Sequence, residues 1–91
     1  MDTRTLKIFL AALTSARAKF DKPNYIEACD WAIKLTALVI VKADAALNFE
    51  KDYQCLKRFV DDCLPWNDEI LKSWNAVEKE YAKSKKNPNG A

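Results

Sequence analysis

The residues that could carry out chemistry in this sequence are its three cysteines, its carboxylates and its lysines, because the chain contains no histidine. Without histidine, the Ser-His and Cys-His pairs that activate nucleophiles are excluded, and so are most zinc sites. A reactive cysteine needs a nearby cation or a helix N-terminus that lowers its pKa. Cys29, Cys55 and Cys63 instead replace apolar residues in helical patterns, and no two of them form a CxxC pair. We therefore expect reduced, buried thiols, as in cytoplasmic proteins.

Four acidic residues flank a proline in the second half of the chain, namely Asp61, Asp62, Asp68 and Glu69 around Pro65. They lack the alternating ligand spacing of a calcium loop and the paired glutamate motifs of di-iron bundles. Acidic side chains near a helix start stabilise its unpaired N–H groups and the positive end of its dipole. We expect helix capping here and predict no metal or cofactor, and any further role of this acidic cluster is left open.

The lysines near the C-terminus raise the question of nucleic-acid binding. Lys79, Lys83 and Lys86 share one side of the last predicted helix, and phosphate binding needs several cations on one face. Glu78 and Glu80 interrupt this patch, and no recognition motif accompanies it. A solvated helix end is the favoured interpretation, and contact with nucleic acid is the alternative.

The elements that position all these residues are expected to be helices. The chain of 91 residues contains a single glycine, Gly90, whereas hairpin turns and phosphate-binding loops depend on that residue. About half of the residues (49%) are apolar, which is typical of a globular chain. The net charge of +2 implies no particular partner. Composition predicts one all-α domain over residues 1–86, followed by a flexible tail at residues 87–91.

Apolar residues recur at three- and four-residue spacing in four segments, which predicts four helices. We expect them at about residues 3–20, 24–43, 48–63 and 66–86. The spacing in the fourth helix predicts a set of inward-pointing residues, namely Trp66, Ile70, Leu71, Trp74, Val77 and Tyr81. Asp2 or Thr3 can cap the first helix and Asn24 the second, and Pro65 suits the first turn of the fourth. The linkers are short enough to make neighbouring helices antiparallel, so the fold class is an up-down four-helix bundle.

The apolar segment LTALVIV, residues 35–41, lies within the second predicted helix. A membrane span needs about 20 apolar residues, and Lys34 and Lys42 bound this segment well short of that length. The apolar stripes of the second and third helices point to nearly opposite sides, which predicts a break near residues 44–48. One continuous helix remains the alternative, because no glycine or proline marks that break.

Trp31 and Leu38 lie on the polar side of the second helix, among its charged residues. They are seven residues apart, which is about two turns, and Lys34 and Lys42 flank them. Either the other three helices contact this helix on most sides, or the pair belongs to a second apolar surface with tryptophan as its anchor. The first explanation is favoured for a monomer, yet these four residues are our predicted partner-binding site.

The sequence as a whole favours a non-enzymatic protein that acts by protein–protein interaction, as a small regulator or a stoichiometric inhibitor. The protein partner is of unknown identity, and a homodimer is a further expectation. The alternative is an accessory protein that binds nucleic acid through its basic C-terminal helix. No signal peptide or membrane segment is visible, so we expect a cytoplasmic location without membrane contact.

Overall fold

Four helices make up the protein. The computed structural model describes residues 2–86, with side chains up to residue 84, so the predicted tail at residues 87–91 lies outside the described residues. The helices are α1 (Arg4–Lys19), α2 (Pro23–Asp44), α3 (Glu50–Asp62) and α4 (Asp68–Lys86). Helix α1 packs against α2 and α4, and α2 packs against α3. The predicted all-α, up-down four-helix bundle is confirmed.

One hydrophobic core lies between the helices, and every helix contributes to it. Its members recur at the three- and four-residue spacing of a buried helical stripe. The buried core includes Leu6, Phe9 and Leu13 from α1, Cys29, Ala32 and Val39 from α2, Tyr53, Leu56 and Val60 from α3, and Ile70, Trp74 and Val77 from α4. The ring of Trp74 lies 5.0 Å from that of Phe9 and 6.0 Å from that of Tyr53, measured between centroids. This aromatic cluster joins α1, α3 and α4.

Helix α2 begins at Pro23, one residue before the predicted start at residue 24, and its N-cap lies two residues before the predicted cap. Pro23 occupies the first turn, where its missing N–H group costs nothing, and Lys22 holds the N-cap position without a side-chain hydrogen bond. The predicted cap by Asn24 is therefore wrong. The fixed φ of proline has determined where this helix starts.

Polar side chains bind the first N–H groups of the other helices. The Asp2 Oδ1 atom accepts the backbone N–H of Arg4 at 2.9 Å, as the sequence suggested for α1. In α4 the corresponding acceptor is Asn67, whose Oδ1 lies 2.8 Å from the backbone nitrogen of Ile70. Helix α4 consequently starts at Asp68, and Pro65 belongs to the linker rather than to the first helical turn.

Helices α2 and α3 are separate, because the chain reverses after residue 45. Ala46 has a φ of 59°, the left-handed conformation that usually requires glycine. The N–H of Leu47 donates to the carbonyl of Lys42 at 2.8 Å, and that of Ala46 to Ala43 at 3.1 Å. This pair of bonds is a Schellman motif, which ends α2 without glycine or proline.

The segment LTALVIV is helical and has apolar residues on two sides of α2. Val39 and Ile40 are buried, and so is Thr36, whose hydroxyl donates to the carbonyl oxygen of Ala32 at 2.6 Å. Leu38 and Val41 are exposed. The core therefore uses only part of the apolar surface of α2. No helix among residues 2–86 is long and apolar enough to cross a membrane.

Two residues of the fourth segment that the periodicity placed inside the bundle lie at its surface. Trp66 is 44% exposed because it falls in the linker before α4. Leu71 is 46% exposed because it follows the buried Ile70, and consecutive helical residues point about 100° apart. The stripe formed by Ile70, Trp74 and Val77 is the one that packs.

Candidate interaction surface

The outward sides of α2 and α3 form one partly apolar surface, termed the α2/α3 face. Its apolar members are Trp31, Leu35 and Leu38 from α2, and Cys55, Phe59 and Cys63 from α3. Leu35 lines a recess of about 540 Å³ together with the three α3 residues. Trp31 lines the neighbouring recess with Phe59 and Cys63. Because both recesses share Phe59 and Cys63, the surface is continuous.

Trp31 and Leu38 are exposed on this face, where the sequence placed them. Trp31 is 52% exposed and Leu38 is 41% exposed. The Nζ of Lys34 lies 5.2 Å from the centroid of the Trp31 ring, within the range of a cation–π contact. An indole held on one side by a cation and open on the other can bury further surface against a partner.

The packing of α2 explains why this side is open. Its neighbours are α1 and α3. Cys29, Ala32 and Val39 point between those two helices into the core. Trp31 and Leu38 are turned by roughly 110–130° from the mean direction of those three residues. They therefore lie on a side of α2 that the described helices leave exposed.

Two of the three cysteines differ from the prediction. Cys29 is buried as expected, and burial raises the pKa of its thiol. Cys55 and Cys63 are exposed, and neither they nor Cys29 is in a disulfide. They do not join the buried stripe of α3, and instead lie four residues on either side of Phe59 at the edge next to α2.

An ion pair ties the two helices together at one end of the face. The Nζ of Lys42 lies 2.7 Å from Asp52 Oδ2, and both side chains are mostly buried. Lys42, a predicted partner-binding residue, thus already has an intramolecular partner. Lys34 makes its contact with Trp31 in the middle of the face.

The remaining charges give the face a polarity along its length. Glu27 and Asp62 each line a recess towards the Pro23 end of α2 and the C-terminal end of α3. Lys51 lies towards the opposite end, and Arg58 lies between them. Bases and acids are therefore mixed across the face, with acids concentrated at one end.

The lysines predicted as a nucleic-acid contact lie elsewhere. Lys79 lines a recess between α3 and α4 together with Lys57 and Glu78, which form an ion pair at 3.1 Å. Lys83 is exposed. The side chain of Lys86 lies outside the described residues. The structure thus places Lys79 beside the acidic Glu78.

The acidic residues around Pro65 are divided between two helix ends. Asp61 and Asp62 are in the last turn of α3, and Asp68 and Glu69 are in the first turn of α4. No group of three or more cysteine, aspartate or glutamate side chains in the described part of the chain is placed to hold a metal ion.

Sequence reasoning proposed Trp31 and Leu38 on α2, but it did not include a third residue of that helix or any residue of α3. The missed residues are Leu35, Cys55, Phe59 and Cys63. The spacing of the last three, four residues apart, would have indicated a second stripe along α3. Comparison of the chain with protein-family models, curated proteins and solved structures found no match.

Proposed function

We propose that this protein acts by protein–protein contact through the α2/α3 face, as a small regulator or stoichiometric inhibitor rather than as an enzyme. The observation that carries this proposal is that Trp31 and Leu38, two turns apart on one line of α2, are both about half exposed. Tryptophan is enriched among residues that dominate binding energy, especially where neighbours exclude water around it.

The neighbours of Trp31 support this role. Phe59 and Cys63 border it on one side and Lys34 on another, so its ring lies among apolar atoms and one cation. A partner that covers the ring would bury apolar area without leaving an unpaired charge beneath it. The chemistry that fits is a helical surface with apolar side chains two turns apart and charges of both signs beside them.

A reduced, cytoplasmic setting is part of the proposal. Two exposed thiols persist on the face without a disulfide between them. Disulfides are rare where the thiol pool is kept reduced, which fits a surface that presents cysteines to a partner.

Affinity capture from the source cell with two matched tryptophan variants tests the proposal. Trp31→Lys removes the exposed ring from the α2/α3 face, and Trp66→Lys removes one of similar exposure, 44% against 52%, from the α3–α4 linker. We expect a protein that wild type and Trp66→Lys retain, and that Trp31→Lys loses by at least tenfold in quantitative mass spectrometry.

Equal retention by both variants would contradict the proposal. If mixed DNA or RNA were retained instead, with a steep loss on raising the salt concentration, the nucleic-acid alternative would replace it. In that case Lys79→Glu with Lys83→Glu should weaken retention and Trp31→Lys should not.

A further inference from the structure

We propose that a second copy of this chain covers the α2/α3 face, in an antiparallel arrangement around a two-fold axis. This inference rests on the proposed function, since it names an occupant for the same surface. The axis would cross α2 midway between Trp31 and Leu38, at the level of Lys34 and Leu35. In such an interface each contact occurs twice, because the same patch is used by both copies.

The positions of the apolar residues on α2 fit this symmetry. A two-fold axis at that level reverses the direction of the helix and exchanges residues at equal distances from the axis. Trp31 of one copy then lies against Leu38 of the other, and the reverse contact forms at the same time. The two most prominent apolar side chains of α2 thus become partners.

The charges on α2 fit the same operation. Glu27 lies four residues before Trp31, and Lys42 lies four residues after Leu38. The axis therefore brings Glu27 of one copy level with Lys42 of the other. Both side chains lie on the outward arc of α2 that carries Trp31 and Leu38. Lys42 can receive this carboxylate while keeping Asp52, which lies 2.7 Å away within its own chain.

The positions of the residues on α3 fit the same two-fold symmetry, independently of those on α2. Antiparallel packing of α2 and α3 places Leu35 in one recess with Phe59, so the axis crosses α3 near Phe59. Cys55 and Cys63 lie four residues on either side of Phe59 and exchange with each other. Arg58 of one copy comes within side-chain reach of Asp62 of the other. The acidic end of the face in one copy thus contacts the more basic part of the face in the other copy.

The size of the face predicts a reversible dimer. Two helices side by side, each about 10 Å wide, cover on the order of 400–600 Å² per copy over a length of 20–30 Å, or roughly 800–1,200 Å² in total. This total is near the lower limit of specific interfaces. We expect dissociation in the micromolar range, with both monomer and dimer present at ordinary laboratory concentrations.

Analytical ultracentrifugation from about 1 to 500 μM tests the dimer over the range in which an interface of this size would dissociate. We expect the sedimentation coefficient of wild type to rise with concentration. Leu38→Glu should remain monomeric, and Leu71→Glu, which alters a leucine of similar exposure on α4, should dimerise like wild type. Monomeric wild type over the whole range would overturn the inference, and so would an equally strong dimer of Leu38→Glu.

Cysteine cross-linking tests the register. Copper phenanthroline with dioxygen accepts two electrons and two protons for each disulfide formed. In the proposed arrangement Cys55 faces Cys63 of the other copy, whereas identical cysteines are separated by eight residues, or about 12 Å along the helix. Cys55→Ser and Cys63→Ser should each fail to cross-link alone, and an equimolar mixture should give a covalent heterodimer. Cross-linking of either single variant alone at the same rate would overturn this register.

These outcomes separate the dimer from the proposed function. A monomeric protein whose capture of another protein still depends on Trp31 leaves the proposed function standing and removes the second copy as occupant. A dimer with the predicted cross-links, together with capture that is indifferent to Trp31→Lys, supports the second copy and contradicts binding of a different protein through this face.

Discussion

Trp31 and Lys34 form a cation–π contact on the outer side of α2, with the lysine Nζ 5.2 Å from the indole centroid. The two residues are one turn apart, so the helix itself brings them together. The ammonium group restricts the orientation of the ring before any partner binds. Less side-chain entropy then remains to be lost on association, which favours Trp31 as an anchor.

Trp74 and Trp31 should differ sharply in their contribution to stability. Trp74 is buried between Phe9 and Tyr53, so Trp74→Ala should cost about 3–5 kcal/mol, a large share of the roughly 5–14 kcal/mol expected for a chain of this size. Trp31→Ala should cost less than about 1 kcal/mol, because about half of the residue is already exposed to water. Urea unfolding, monitored by circular dichroism, measures the free energy of unfolding of both variants. A Trp31→Ala variant that unfolds would show that Trp31 belongs to the core.

The difference between these tryptophans also shows what the sequence could predict. Periodicity placed Trp31 among charged residues and Trp74 on an apolar stripe, and the structure has one exposed and the other buried. The same reasoning placed Trp66 inside, because it could not foresee that Asn67 caps α4 and leaves Trp66 in the linker. Local spacing determines which side of a helix a residue occupies, whereas the first residue of the helix depends on competing caps.

The α2/α3 face was only half predictable for a similar reason. Trp31 and Leu38 were identifiable because they interrupt a charged side of α2. Cys55 and Cys63 resemble core residues by type, and their exposure depends on how α3 is rotated against α2. That rotation is a property of packing between helices and cannot be obtained from the spacing within one helix.

Replacing Ala46 by glycine should stabilise the protein. Ala46 has a φ of 59° at the end of α2. This conformation is about 1 kcal/mol or more less favourable for an L-residue with a Cβ atom than for glycine. Ala46→Gly removes that strain at some cost in entropy of the unfolded chain, so we expect a net gain of about 0.5 kcal/mol. Thermal and urea unfolding measure the difference. Ala45→Gly is the matched control and should lower the stability of the protein, because Ala45 has a negative φ of −87° and glycine relieves no strain there. If both variants were more stable than wild type, strain at Ala46 would not explain the gain.

The cysteines should react with a thiol reagent in two classes. Cys55 and Cys63 are exposed, whereas Cys29 is buried and burial raises the pKa of its thiol. In dilute native protein, where the monomer dominates, we expect two thiols to react rapidly with a disulfide reagent at pH 8 and the third only after denaturation. Cys29→Ala should leave the amplitude of the rapid phase unchanged, and Cys55→Ser should halve that amplitude. Rapid reaction of three thiols in the native state would show that the core around Cys29 opens readily.

Alkaline pH should destabilise the fold through Tyr53. This ring is buried and stacked on that of Tyr81, with 3.8 Å between the ring centroids. Burial is the main cause that raises the pKa of its phenol well above the usual value of 10.0, and the negative charge of the nearby Glu78 adds to it. The folded protein therefore keeps the phenol proton to higher pH than the unfolded chain does. Stability from this group is complete below pH 10 and falls above it, with a slope of up to about 1.4 kcal/mol per pH unit.

Urea unfolding of wild type and Tyr53→Phe between pH 7 and pH 11 measures this effect. We expect the two proteins to differ little in pH dependence up to about pH 9, and Tyr53→Phe to lose less stability above about pH 10, the usual phenol pKa. Part of the alkaline loss should persist, because the raised pKa of Cys29 acts in the same direction. Tyr25→Phe, which removes a half-buried phenol at the α1–α2 turn, serves as the control for the loss of a tyrosine hydroxyl elsewhere in the fold. If Tyr53→Phe retained the full alkaline slope, the ionisation of Tyr53 would not be what limits stability there.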